Sequence, residues 1–490
     1  MTLERSGRPR PRGAASAAIT LLGMVPVLLM LGGCGGGGGS SSPSTSTAPA
    51  SSPTPTPPAT VALGPFDDAS GQWSSISLTT ALQSNPFFSA LGSNGRSCGT
   101  CHSASDAWSA TPASLQARFN TTNGADPIFN SVDGTNCGPA ASSSLSDLQA
   151  ASSELLNKGL IRIQLPVPAG AQFSATSVSN PYGCNSTTTL SLYRRILPST
   201  NLSFLSTVMW DGRESFGKAD LQSALISQAS DAVLSHQQAA SVPSPTVLQQ
   251  IYAFEIALFS SQATDSAAGS LSAGGATGGA GSLSQQGFVA GSNDPFAATT
   301  SPQGIPPAPV FTVFQSWEGL TAVDTTSLAQ ESIGRGEKLF NTLQFPITLV
   351  GGLNDTADPA GNVRTVVTGT CGTCHNTPNA GGNSTNRLFN TGVAAPNSKN
   401  TDLPVITLTN LKSGAVIATT DPGYALTTGL WSDVGKFKVP TLRNLAARAP
   451  YFHNGNAPSL TAVVNFYNNR FNLNLTPQQQ TDLLNFLKAL

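Results

Sequence analysis

Charge is scarce in this 490-residue chain: Lys, Arg, Asp and Glu make up 10%, where about 25% is ordinary, and the formal net charge is -1. A surface of clustered Lys and Arg is therefore excluded, so no nucleic-acid partner is expected, nor one chosen by strong charge steering. Histidine occurs four times, and methionine four times but only once, at Met209, beyond residue 30. Seven cysteines are too few for a disulfide scaffold at this length. Their spacing is nonetheless far from random.

The longest apolar run lies near the start. Residues 1–12 hold four arginines, and residues 14–31 are apolar or small, ending in Leu31, Gly32, Gly33 and Cys34. That order reads as an export signal over residues 1–33, too short for a spanning helix and followed at once by five glycines. The Leu, small, small, Cys ending resembles the bacterial lipoprotein lipobox, which makes Cys34 a lipidation site. An ordinary exported protein with a stray thiol is the alternative. Residues 34–64 are Gly, Ser, Thr and Pro, a composition that buries too little to fold and reads as a tether.

Globular composition fills residues 65–262 and 310–490, and the Gly-, Ser-, Ala- and Pro-rich stretch 263–309 reads as a linker or surface insertion. Residues 247–262 set Ile251, Phe254, Leu258 and Phe259 at helical spacing. Leu483, Leu484 and Leu487 do the same behind Thr476 and Pro477, an N-cap followed by proline at the first helical position. No strong alternation marks a strand, so the pattern predicts a mainly α chain with long loops.

Cys98, Gly99, Thr100, Cys101 and His102 form a CxxCH pentapeptide, and Cys371 to His375 repeat it with the same filler residues. Each reads as c-type haem attachment: the cysteines form thioethers to one porphyrin and the adjoining histidine sits under the iron. A bare CxxC also fits a redox disulfide or half a zinc site, but the adjoining histidine, the doubling and the export signal favour haem. Two haem c groups are expected, one in each of two cytochrome c-like domains, with His102 and His375 as metal ligands.

Cys137 and Cys184 remain, and an exported chain allows either a disulfide or two buried thiols. Donors for the far side of each iron are few. Met209, His236 and His453 are the strong candidates, and none lies close to a CxxCH, so at least one iron is expected to keep an open position where a small oxidant can bind.

The run Lys436-Phe437-Lys438-Val439-Pro440-Thr441-Leu442-Arg443-Asn444, with Ala449-Pro450-Tyr451-Phe452-His453-Asn454-Gly455 after it, resembles the C-terminal domain of bacterial di-haem cytochrome c peroxidases and the related MauG enzyme. Residues 334–340 are similar to the helix entering the family's second haem domain, and Trp210-Asp211-Gly212-Arg213 to its WDGR segment, whose tryptophan lies between the haems. The resemblance implies that Trp210 carries electrons between them. It puts Tyr467 at the axial position of the second haem and His453 beside that haem without ligating it. Tyr467 also fits a helix core residue in an aromatic stripe. Two departures stand out. The segment from Ser103 to Asn136 has no histidine and offers Asp106, Trp108 and Arg118; after Gln228 and Ala229 there is no glutamate, only Asp231, His236 and Gln238. His236 is then the candidate acid or base for peroxide cleavage, a solvent-facing histidine being the alternative.

Together these features imply a periplasmic or cell-envelope oxidoreductase, anchored to a membrane by lipid. Hydrogen peroxide or another small oxidant is reduced, and a small redox protein supplies electrons. The resemblance leaves open a calcium ion between the domains. Two other readings stand beside it: a non-enzymatic electron-transfer di-haem cytochrome, and a MauG-like or rubber-oxygenase-like haem oxidase.

Overall fold

In the strand Gly71–Ser77 the buried positions are Trp73, Ser75 and Ser77, while Ile76 lies on the less buried side. Two of three inward positions are thus serine, and the apolar alternation that announces a strand is absent. The same holds for Leu258–Asp265, which buries Ser260, Ser261 and Gln262 as deeply as Leu258. These strands form an antiparallel sheet in the order Val61–Asp67, Gly71–Ser77, Leu258–Asp265 and Gly269–Ser270. The computed structural model describes residues 60–80, 82, 84–137, 144–296, 308–397 and 400–490. Cys34, the export signal and most of the tether lie outside the described residues.

The fold is mixed α/β, which corrects the expectation of a mainly α chain: among the described residues five small sheets accompany the helices. The helical reading of residues 247–262 is corrected in its second half. The helix Pro245–Ile256 stops, and Leu258 begins a strand. Leu258 and Phe259 fit either period, and sheet pairing with Gly71–Ser77 decides between them.

The stretch read as linker or insertion carries the short helix Ala280–Ser284 and buries Ala268, Leu271, Leu283 and Phe296. Trp317 Nε1 donates to the Ala273 carbonyl at 3.1 Å, tying this stretch to the C-terminal core. The two expected haem halves are also joined. Phe173–Ser179 pairs antiparallel with Val405–Asn410, and the Asn444 amide donates to Ser260 Oγ at 2.8 Å. Among the described residues no helix is long and apolar enough to cross a membrane.

The helices Thr325–Thr342 and Pro477–Lys488 cross at the heart of the C-terminal core. A Cβ at Gly336 would stand 2.0 Å from the Asp482 carbonyl, so only glycine lets the backbones meet there. Asp482 caps the crossing by accepting from Ser332 Oγ (2.6 Å) and from Arg335 Nε (2.9 Å). Around it Phe311, Phe340 and Phe486 lie edge to face or tilted, with centroids 5.2–5.6 Å apart. Each such ring stabilises by about 1.5–3 kcal/mol on burial. Phe340 then reaches the His375 ring, 6.3 Å away, so this core positions the second CxxCH.

Candidate functional site

The first CxxCH opens a four-residue helix, Cys98–Cys101, whose start is held by the Ser97 N–H donating to Thr100 Oγ1 at 2.9 Å. His102 Nδ1 faces the Trp108 carbonyl at 3.1 Å. A carbonyl only accepts, so Nδ1 carries the proton in this pairing, and the Leu197 backbone also lies within hydrogen-bonding reach of the ring. Trp108 is itself fixed by its indole N–H, which donates to Ser75 Oγ at 2.8 Å. The buried serine of a strand therefore orients the histidine through one intermediate residue.

The second CxxCH repeats the plan. Thr370 N–H donates to Thr373 Oγ1 at 2.9 Å, and His375 Nδ1 donates to the Gly381 carbonyl at 2.6 Å. Gly381 has φ +70 and lies against Leu442, where a Cβ would meet side-chain carbon at 2.8 Å. A histidine whose other nitrogen is tied to a carbonyl is the usual arrangement of a metal ligand.

Each pentapeptide lines a separate cavity. The first is walled by Cys98, Cys101, His102, Trp210, His236 and Glu255, among others, and is partly open to solvent. The second is walled by Cys371, Cys374, His375, His453 and Tyr467, again with Trp210, and is partly open likewise. Burial lowers His102 and His375 to about 4 and pushes Cys101 up to about 11 and both Cys371 and Cys374 up to about 12. The imidazoles are neutral and the thiols are protonated and unpaired with each other. Among the described residues no group of three or more His, Cys, Asp or Glu side chains is gathered to hold a bare metal ion. The donor set, two free thiols beside one oriented neutral imidazole on a roomy apolar wall, fits a covalently held haem in each cavity.

The remaining candidates fall around these walls. Trp210 lines both cavities, with its indole N–H donating to the Arg195 carbonyl at 2.8 Å. Asp211 beside it is fully buried. Burial would raise it, but Arg194 and Arg213 hold it at about 2. Arg194 also meets Asp421 at 2.7 Å, locking the WDGR turn to the C-terminal half.

His453 is 3% exposed, its ring stacked on Phe437 at 3.8 Å and edge-on to Trp210 at 6.2 Å. Its Nε2 has no hydrogen-bond partner among the described residues, so a buried polar atom at the second cavity waits for one. Tyr467 faces the same cavity, stacked on Phe471, and burial raises its phenol. Met209 lines the first cavity.

His236 caps the helix Leu221–Ser235 and pairs through Nδ1 with Asp133, which is also paired with Arg96. Burial would raise Asp133, but His236 and Arg96 hold it below the usual carboxylate range. Asp133 is therefore the acceptor and His236 Nδ1 the donor. Asp106 instead accepts from Thr111 (2.8 Å), and Arg118 binds Asp126 through Nε (2.8 Å); neither is among the residues walling the first cavity. Trp108 acts there through its carbonyl. Cys137 and Cys184 are joined in a disulfide across a sequence separation of 47.

Two wall residues were missed by the sequence reading. Glu255, on Pro245–Ile256, is 5% exposed, has an Oε2 without a partner, and is pushed up to about 8 by burial. Lys438, on the wall shared by both cavities, is lowered to about 7 by burial. For Glu255 the available signal was a lone charge inside an apolar run, Phe254-Glu255-Ile256; for Lys438 it was a second lysine two residues after Lys436 in the run that carries the resemblance. That pattern reads equally well as a surface face until the fold is seen.

No family model matches the chain. In sequence it is similar to a cytochrome-c peroxidase of Denitromonas iodatirespirans, 33% identical over 140 residues that cover 24% of this chain and 36% of the relative. A second cytochrome-c peroxidase of that organism is 35% identical over 136 residues, 25% of this chain and 36% of the relative. One from Pseudomonas sp. (strain SCT) is 38% identical over 84 residues, 15% of this chain and 22% of the relative. The matched parts thus span between about a fifth and little more than a third of these relatives. Among solved structures, a MauG-like protein associated with microbial copper homeostasis aligns over 82% of this chain and 87% of its own, at 14% identity and a TM-score of 0.33. The similarity to cytochrome-c peroxidases, joined to the paired CxxCH segments, agrees with the resemblance read from the sequence.

Proposed function

We propose that this protein is an exported di-haem c-type oxidoreductase that reduces hydrogen peroxide at its first cavity. The observation that carries the reading is the pair of CxxCH-bearing cavities meeting at one wall, with Trp210 on both sides of it and an unpartnered carboxyl group, Glu255, in the first. The names of the relatives, cytochrome-c peroxidases, agree with it. Cys98, Cys101 and His102 would hold one haem and Cys371, Cys374 and His375 the other, and the haems would supply the redox change for which a small donor protein provides electrons.

The chain's own residues handle protons and position. Reduction of one peroxide consumes two electrons and two protons, breaks the O–O bond and yields two waters. Glu255 is protonated at neutral pH and can donate to the departing oxygen. His236, its Nδ1 proton held by Asp133, offers Nε2 as a second exchange site on the same cavity. Apolar side chains such as Leu225 and Ile251 keep bulk water from competing. On the other side Tyr467 and His453 face the second cavity and set the surroundings of its iron. Export and lipidation at Cys34 belong to this proposal on the strength of the N-terminal sequence alone.

The test is made on protein matured in cells that attach haem c. Pre-reduced protein is expected to be oxidised by peroxide and to turn over with a reduced cytochrome as donor. Ferric protein should show a high-spin band that moves with cyanide. Two low-spin spectra inert to both reagents would replace this reading with the electron carrier, and turnover that needs oxygen instead of peroxide would replace it with the oxidase.

A further inference from the structure

The wall between the cavities holds positive charge without a matching negative one. Lys438 and Arg195 line both cavities, and Arg448 lines the second. Arg195 gives its guanidinium hydrogens to backbone carbonyls, those of Lys158 (2.7 Å) and Arg448 (3.3 Å). Arg448 does likewise with Asn444 and Thr441, both at 3.1 Å. None of the three meets a carboxylate among the described residues, in contrast to Arg194 next door, which is held by Asp211 and Asp421. Lys438 is the extreme case: it is 6% exposed, and among the described residues its ammonium has no hydrogen-bond or ion-pair partner. Its backbone N–H donates to the Trp210 carbonyl at 2.9 Å, which pins the residue at the shared wall.

A lone ammonium buried in an apolar wall is strongly disfavoured unless an anion joins it. The indole of Trp210 offers it no acceptor, since its one N–H only donates and is given to the Arg195 carbonyl. We infer that Lys438, backed by Arg195, is a carboxylate-binding site, and that its ligand is a propionate of a macrocycle held by one of the two CxxCH segments. The inference rests on the haem reading but not on peroxide as the oxidant. A fixed cation on a propionate disfavours the ferric iron relative to the ferrous one, so the lysine biases its haem towards reduction.

Spectroelectrochemical titration of the holoprotein tests this, with haem content measured on the same samples. Lys438→Met is expected to favour the ferric form of at least one haem about tenfold, a fall of about 59 mV for a one-electron couple. Lys438→Arg keeps the charge and should stay near the wild-type potentials. Unmoved potentials in a fully loaded Lys438→Met protein would overturn the site. Excess acetate should leave the wild type unchanged. An acetate-dependent shift that Lys438→Met abolishes would show a free carboxylate as the ligand, overturning the assignment to propionate. Should Lys438→Met fail to accumulate, resonance Raman of Lys438→Arg decides: a shifted propionate bending band is expected, and an unshifted one overturns the assignment. A wild-type protein that matures colourless removes the haem reading and this site together, an outcome distinct from coloured variants with unmoved potentials.

Discussion

A carboxyl group with a partnerless oxygen is costly to keep in an apolar cavity, and Glu255 is kept in one. Its folded value of about 8 lies above the ordinary 4.5, so the carboxyl holds its proton through neutral pH and loses it as pH rises through about 8. A proton donor of this kind predicts peroxide turnover that falls above that pH. Glu255→Gln should slow turnover by about a hundredfold or more with haem content intact, and should remove the loss of stability that ionising this buried carboxyl brings as pH rises through about 8. Unaltered kinetics at every pH would return Glu255 to a merely buried residue. Tyr467→Phe is the matching test across the wall. If the phenol reaches the second iron, only that haem's ligand-field bands change; if they do not, Tyr467 is core. The sequence made the CxxCH pairs, Trp210 and Tyr467 legible because each sits in a motif with fixed spacing. Glu255 sits in no such motif, and Lys438, though inside the run Lys436–Asn444, carries no sign there of its buried place; only the close approach of distant segments puts each on a cavity wall.

Elements were legible where capping chemistry and apolar period agree. Thr476 Oγ1 accepts from the Gln479 N–H at 3.2 Å with Pro477 at the first position, and the helix Pro477–Lys488 follows. Strands were not legible, because serine and glutamine fill inward positions at Ser75, Ser260 and Gln262, where the hydroxyls accept from Trp108 and Asn444 and the glutamine amide donates to Asp68, polar contacts that carry no periodic signal. Glycine shows a further limit. Gly336 reads as an ordinary weak helix former, yet it is the contact point between two helices. Gly→Ala in a helix interior gains about 1 kcal/mol of propensity, but overpacking a tight contact costs about 1–3 kcal/mol or more. With a Cβ 2.0 Å from the Asp482 carbonyl, the clash should win. Gly336→Ala is expected to lower stability in denaturant titration and to disturb the second haem's spectrum through Phe340 and His375. A gain in stability would mean that the helices can part without cost.

The whole molecule depends on segments far apart in sequence being held at one place, and Arg194 is where three of them meet. It sits on the strand Thr189–Arg195, binds Asp211 of the WDGR turn at 2.6 Å, and binds Asp421 of the C-terminal half at 2.7 Å. All three groups are nearly inaccessible to water, so removing the cation leaves Asp421 buried without its partner and Asp211 with Arg213 alone. Breaking a buried pair in this way costs about 3–5 kcal/mol. Arg194→Met should therefore lower the midpoint of unfolding and loosen Trp210, visible as a change in its fluorescence quenching by haem. Acid should act on the same joint. Asp211 has a folded value of about 2 against an ordinary 3.8, so it binds a proton less readily when folded. Its contribution, about 2 kcal/mol, is complete above pH 3.8 and disappears as pH falls through about 2. The Asp211→Asn variant should lack that acid limb, and a variant that unfolds in acid along the wild-type curve would show that the joint does not hold the two halves together.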